Sequence, residues 1–136
     1  MELKFDIVGG DFNLAGRASS KIKKVLKQLG IDPKIIKRIV VAVYEAEVNV
    51  VAHSVGGRLF AQINSSEINV RVVDDGPGIT NIEQAMTVGF STASKEVREM
   101  GFGAGMGLPN IKKNTDEMTI ESELEKGTSL SFTNRF

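Results

Sequence analysis

The 136-residue chain contains no cysteine and no tryptophan, and only one histidine and one tyrosine. Without thiols it has no disulfide, no thiolate metal site and no cysteine nucleophile. That fits a cytoplasmic setting. Charge of one sign is also missing, since 17 basic residues balance 17 acidic ones. No global field draws the chain toward nucleic acid or an anionic membrane, so any anionic ligand must be held by local chemistry. Long apolar runs are absent. The N-terminal MELKFDIVGG has neither the basic segment nor the apolar core of a signal peptide, and nothing later is long enough to span a bilayer. The expectation is a mature, soluble chain. Aromatics make up 6% of the residues and hydrophobic residues 41%, so a core must be built mostly from Val, Ile, Leu, Ala and Met. The length predicts one compact domain over residues 1–136.

The extended formers of residues 2–8 predict a first strand, ending at a Gly-Gly-Asp turn. Leu14, Ile22, Val25, Leu26 and Leu29 recur at helical spacing, with Gly30 as the stop. Asp32 and Pro33 then open a second helix, reaching to about His53. After Gly56 and Gly57, RLFAQIN and EINVRVVD read as two strands joined through Ser65 and Ser66. Residues 76–104 are polar and glycine-punctuated, with a turn or two of helix around Ile82 to Met86, and irregular segments of that length are commonly lids or binding loops. A short helix from Gly107 to Asn114 and a hairpin of TIESEL and SLSFTN complete the chain. The order β, α, α, β, β, loop, α, β, β predicts an α+β fold, a two-layer sandwich with a mostly antiparallel sheet and helices on one face.

Three stretches carry residues suited to chemistry. On the second helix, at about 100° per residue, Ile36, Ile39, Val43, Ala46 and Val50 form an apolar stripe. Glu45 and Asn49 lie together along one edge of it, whereas Glu47 projects from another side. A carboxylate and an amide there can accept a proton and ligate a metal. They read as readily as an exposed Glu beside a surface Asn. His53, at the end of the same helix, suits a cap and is given no catalytic role. Asp74 ends the strand that leads into DGPGI, where Gly76 and Gly78 allow close approach by a ligand. Such an aspartate can accept a hydrogen bond from an exocyclic amine in an apolar pocket, and it can equally belong to an ordinary turn. In GFGAGMGLPNIK, the glycines at 101, 103, 105 and 107 precede a helix. Backbone amides there can cradle phosphate oxygens, or the run can be slack surface loop. No Lys followed by Ser or Thr makes it a Walker A loop, and no βαβ context makes it a Rossmann turn.

In order, EAEVN, DDGPG, GFGAGMGLPNIK and KGTSL resemble the four boxes of the GHKL ATPase superfamily, whose members share the Bergerat ATP-binding fold. The likeness covers nearly the whole chain and is strongest from Ile39 to Thr128. Short length and MGLPNIKKNTDEMTIESELEKGT resemble the partner-switching serine kinases and anti-sigma regulatory factors, of the RsbT type, with RsbW and SpoIIAB as relatives. The resemblance implies ATP and Mg²⁺ as cofactors. It implies Asn49 as metal ligand, Glu45 as the catalytic residue that orients or deprotonates the attacking hydroxyl, and Asp74 as reader of the adenine amine. Gly76 and Gly78 would shape the base pocket, with Thr128 beside the base. Gly103, Gly105 and Gly107 would let the lid wrap the phosphates. The implied activity is serine phosphorylation of a STAS-domain antagonist, with a sigma factor or phosphatase as alternative partner and a homodimer compatible. The competing reading is a nucleotide-dependent binding module with little or no kinase activity. A third is the detached ATP-binding domain of a histidine kinase or larger ATPase. Arg17 matches a partner contact of related kinases. Lys95, Arg98, Ser91, Thr92 and Ser94 are candidate lid contacts.

Overall fold

A computed structural model of the chain describes residues 1–11, 13, 15–53, 56–75, 107–123 and 127–136. The described elements are β1 (Glu2–Val8), α1 (Arg17–Gln28), α2 (Pro33–His53), β2 (Gly56–Ile63), β3 (Glu67–Asp74), α3 (Gly107–Lys113), β4 (Glu117–Glu123) and β5 (Gly127–Arg135). Their order is the expected one. The helical turns read around Ile82 to Met86 fall outside the described residues.

Helix α1 buries Ala18, Ile22, Val25 and Leu26, one stripe at helical spacing, and exposes Lys21, Lys23, Lys24 and Lys27. It begins at Arg17 and not near Leu14 as periodicity predicted, because Gly16 holds φ at +99°, a left-handed conformation that interrupts the helix. Helix α2 starts where the sequence placed it. The Asp32 carboxylate accepts the N–H of Lys34 at 2.8 Å, and Pro33 occupies the first helical position, where its missing N–H costs nothing. The expected stripe of Ile36, Ile39, Val43, Ala46 and Val50 is buried.

The five strands form one antiparallel sheet in the order β1-β2-β3-β5-β4. Alternation sorts its faces. Leu59, Ala61, Ile63, Ile68, Val70, Val72, Leu130 and Phe132 are buried, while Arg58, Gln62, Asn69 and Arg71 are exposed. Helix α2 lies across β1, β2 and β3 on the apolar face, flanked by α1 and α3. Each fully buried aliphatic side chain contributes about 1.5–3 kcal/mol over leaving it in water, so this layer contact dominates stability. Helix α3 buries Leu108 and Ile111, and its end is tied to β5 by the Asn134 amide, which donates to the Asn114 carbonyl at 2.8 Å.

One boundary differs in a way that matters for the site. Gly56 and Gly57, which the sequence reading places ahead of the strand, are the first residues of β2 and pair with Val8 and Ile7.

Candidate functional site

Register places a row of residues across the helix-facing side of the sheet. Ile7 pairs with Gly57, Gly57 with Asp74, Asp74 with Thr128, and Thr128 with Ser122. In antiparallel strands, paired residues point to the same face. Asp74 and Thr128, chosen from separate motifs, are therefore direct neighbours, and both are partly buried. Glycines let the neighbouring strands approach the Asp74 backbone closely. A Cβ on Gly57 would lie 2.9 Å from Asp74 Cα, and a Cβ on Gly127, where φ is +100°, would collide with the Asp74 carbonyl. On the other side of Thr128, Ser122 Oγ is 3.0 Å from Thr128 Oγ1 and donates to the Gly127 carbonyl at 3.3 Å.

The second group stands on α2. Glu45 and Asn49 are half-buried and share one neighbour: a Cβ built on Gly107 would lie 3.5 Å from Glu45 Oε2 and 3.9 Å from Asn49 Oδ1. One turn along α3, the Asn110 amide donates to Glu45 Oε1 at 3.4 Å and so orients the carboxylate. The N–H of Gly10, just past the end of β1, donates to the Val51 carbonyl at 2.9 Å. That bond sets the last turns of α2 at the end of the sheet where the Gly57, Asp74 and Thr128 row lies.

Glu47 is separate from this pair, as the helical wheel predicted. Its buried carboxylate accepts the N–H groups of Gly16, Ala18 and Ser19 at 3.0–3.2 Å, closing the N-terminus of α1. Arg17 is exposed and lines a groove of about 680 Å³ with Lys4, Phe5, Gly16, Ser20 and Lys21.

Of the residues selected from sequence, Glu45, Asn49 and Gly107 come together, and so do Asp74 and Thr128. Gly76, Gly78, Gly103 and Gly105 lie outside the described residues, as do Lys95, Arg98, Ser91, Thr92, Ser94 and the His53 side chain. Sequence reasoning missed Gly57, Ser122 and Gly127. The motif KGTSL did contain Gly127, and the alternation of TIESEL placed Ser122 on one face with Ile120. Among the described residues no cluster of three acidic, histidine or cysteine side chains could hold a metal unaided, and no helix is long and apolar enough to cross a membrane.

A family model described as the histidine kinase-like ATPase domain matches residues 12–134. The chain is 36% identical over 110 residues to an anti-sigma F factor of Thermoanaerobacter sp. (strain X514), an alignment covering 76% of this chain and 73% of that protein. It is 30% identical over 112 residues to the serine/threonine-protein kinase RsbT of Bacillus subtilis (strain 168), covering 79% of this chain and 78% of that one. Among solved structures it is similar to the RsbU and RsbW domains of a Mycobacterium tuberculosis protein, with a TM-score of 0.67 and 20% identity over 99% of this chain and 32% of that one. It also resembles the mycobacterial sensor histidine kinase MprB, with a TM-score of 0.56 and 16% identity over 99% of this chain and 97% of that one. At those identities the likeness to the solved structures is one of fold.

Proposed function

The chain belongs to the histidine kinase-like ATPase domain family, and from that premise we propose that it is an ATP-dependent protein serine kinase of a partner-switching module. As one ATP-binding domain it phosphorylates a STAS-type antagonist and exchanges that partner for a sigma factor or phosphatase. The observation that carries this reading is the convergence of Glu45 and Asn49 on Gly107 at the end of the sheet where Asp74 faces Thr128.

Each residue has a chemical task in this account. The Asp74 carboxylate accepts a hydrogen bond from the exocyclic amine of adenine, with Thr128 alongside, and Gly57 and Gly127 let the neighbouring strands lie close against Asp74. Gly76 and Gly78 shape the same pocket, and Gly103, Gly105 and Gly107 let backbone approach the phosphates. Asn49 Oδ1 is a hard oxygen donor one helical turn from the Glu45 carboxylate, and it fits a cation that would take water and phosphate oxygens as its other ligands. Asn49 would hold Mg²⁺, which would supply charge neutralisation for the transferring phosphoryl group. Glu45, oriented by Asn110, takes the proton of the attacking serine hydroxyl as the serine oxygen bonds to the γ-phosphorus and the bond to ADP breaks.

Purified chain incubated with γ-labelled ATP, Mg²⁺ and a STAS-domain protein tests the proposal. Label on serine is expected. Unlabelled antagonist that still binds would replace the kinase with the second reading, a nucleotide-dependent binding module. The basic groove at Arg17, and the relatives named anti-sigma F factor, favour that reading.

A further inference from the structure

We propose that Asn134, buried at the end of β5 remote from the nucleotide site, is a positioning residue for phosphoryl transfer. Through Asn114 it holds α3 where the Asn110 amide engages Glu45 Oε1 and leaves Oε2 for the serine hydroxyl. The inference rests on the reading of Glu45 as the group that takes the serine proton. It deepens that reading by giving the orientation of the carboxylate a source on the sheet.

Three side-chain amides link β5 to Glu45. Asn134 Nδ2 donates to the Asn114 carbonyl at 2.8 Å, Asn114 Nδ2 donates to the Asn110 carbonyl at 2.8 Å, and Asn110 Nδ2 donates to Glu45 Oε1 at 3.4 Å. The first two acceptors are backbone carbonyls, which cannot donate, and Glu45 must be an ionised acceptor to take a proton. Which way round each amide sits is therefore set by its partner. The Asn114 N–H also donates to the Asn110 carbonyl at 3.2 Å, closing the last turn of α3.

Asn134 is an unfavourable residue for its place. It is fully buried, it pairs with the equally buried Ile68 near the start of β3, and its Oδ1 has no hydrogen-bond partner among the described residues. A buried polar atom left unpaired destabilises a fold, and an apolar side chain of similar size would avoid that cost. What Asn134 supplies in return is its bond to the end of the helix that carries Asn110. Thr128, by contrast, pairs with Asp74 at the other end of β3, so Asn134 cannot act by touching the nucleotide.

At the Glu45 end the two carboxylate oxygens become unequal. Oε1 accepts from Asn110, while Oε2 lies 3.5 Å from a Cβ built on Gly107, a point 3.9 Å from Asn49 Oδ1. With Oε1 engaged, the carboxylate resists rotation and Oε2 stays on the side where the phosphates and the serine hydroxyl meet. Proton transfer needs hydrogen-bond reach, so a shift of α3 that frees the carboxylate slows transfer without removing the nucleotide pocket.

The test is transfer of labelled γ-phosphate by the full chain to serine of a STAS-domain protein, with ATP Kd measured on the same preparations and denaturant midpoints showing that each variant is folded in the assay. Asn134→Leu, close to asparagine in size, removes both the donor and the unpaired oxygen. Its ATP Kd should stay within about twofold of wild type, and its transfer rate at saturating ATP should fall about threefold or more. Asn110→Ala should lower transfer about tenfold, again with ATP Kd kept. In the Asn110→Ala background, Asn134→Leu should lower transfer no further, because its effect passes through Asn110. A merely structural role would lower transfer by the same factor in both backgrounds. If Asn134→Leu does not fold, Asn114→Ala breaks the middle link and should show the same dependence on Asn110. Wild-type transfer in the folded variant, or an equal further loss in the Asn110→Ala background, overturns the proposal alone. Absence of transfer by the wild-type chain overturns the kinase reading together with it.

Discussion

Glu47 Oε1, on the middle helix, accepts the backbone N–H of Ser19 at 3.0 Å, and its other oxygen accepts those of Gly16 and Ala18. Helix α1 needs this help. It begins with Arg17, has no acidic residue in its first turn, and its cap position, Gly16, offers no side chain. The unpaired N–H groups and the positive end of the dipole are answered by a carboxylate from another helix. Removing it by Glu47→Ala leaves three donors unpaired, two of them within the core layer. The expected loss is on the order of 3 kcal/mol, seen as a lower denaturant midpoint with unchanged slope. Glu47→Gln keeps one accepting oxygen and should fall between. Wild-type stability in Glu47→Ala would remove the cap from the account.

Gly127→Ala should damage nucleotide binding and stability together. Its φ of +100° disfavours a side chain, and the added Cβ meets the Asp74 carbonyl, so β3 or β5 must shift. Gly10→Ala is the control: it has φ +78° with nothing within 4 Å of an added Cβ. It should cost about 1–2 kcal/mol of backbone strain and leave ATP affinity alone. Equal ATP affinities in the two variants would mean that clearance beside Asp74 is unimportant.

Acid should weaken the fold partly through Asp116. The Arg135 backbone N–H, bonded to its carboxylate at 2.7 Å, holds its pKa below the usual carboxylate value; burial opposes this, and the Arg38 guanidinium at 3.3 Å and the Arg135 charge add to the lowering. A group with a depressed folded pKa stabilises above its unfolded value, about 3.9, and that contribution is lost as pH falls through the folded pKa. Asp116→Asn should therefore lower stability at pH 7 and flatten its decline below about pH 4. Parallel stability curves for wild type and variant from pH 7 down to pH 2–3 would contradict this.

Asn49→Ala should abolish Mg²⁺-dependent nucleotide binding, because Mg²⁺ would lose the protein oxygen that holds it. The comparison is ATP affinity with Mg²⁺ and with chelator. A variant that retains the full Mg²⁺ effect would place the metal elsewhere.

The sequence made the local features legible. Asp32-Pro33 announced the start of α2 because a cap acts within one turn, and the apolar stripe announced its buried face. What stayed hidden depends on contacts between distant segments. Insertion of β5 between β3 and β4 is what brings Thr128 beside Asp74 and Ser122 beside Thr128, and no periodicity within a strand encodes that order. Gly57 reads in the sequence only as a residue ahead of a strand; its role follows from the strand opposite, where a side chain would press on Asp74. The helical wheel shows only that Glu47 projects away from Glu45 and Asn49; the donors on α1 are what justify its burial. Periodicity also began α1 too early, since it cannot register the left-handed backbone of Gly16.

The central claim is that Glu45 performs chemistry at a nucleotide site built by other residues, and Glu45→Ala tests it most directly. ATP affinity and phosphoserine formation on a STAS-domain protein are measured on the same preparation. The account predicts an ATP Kd within about threefold of wild type and transfer reduced by about a hundredfold or more. Near-normal transfer in Glu45→Ala would contradict it.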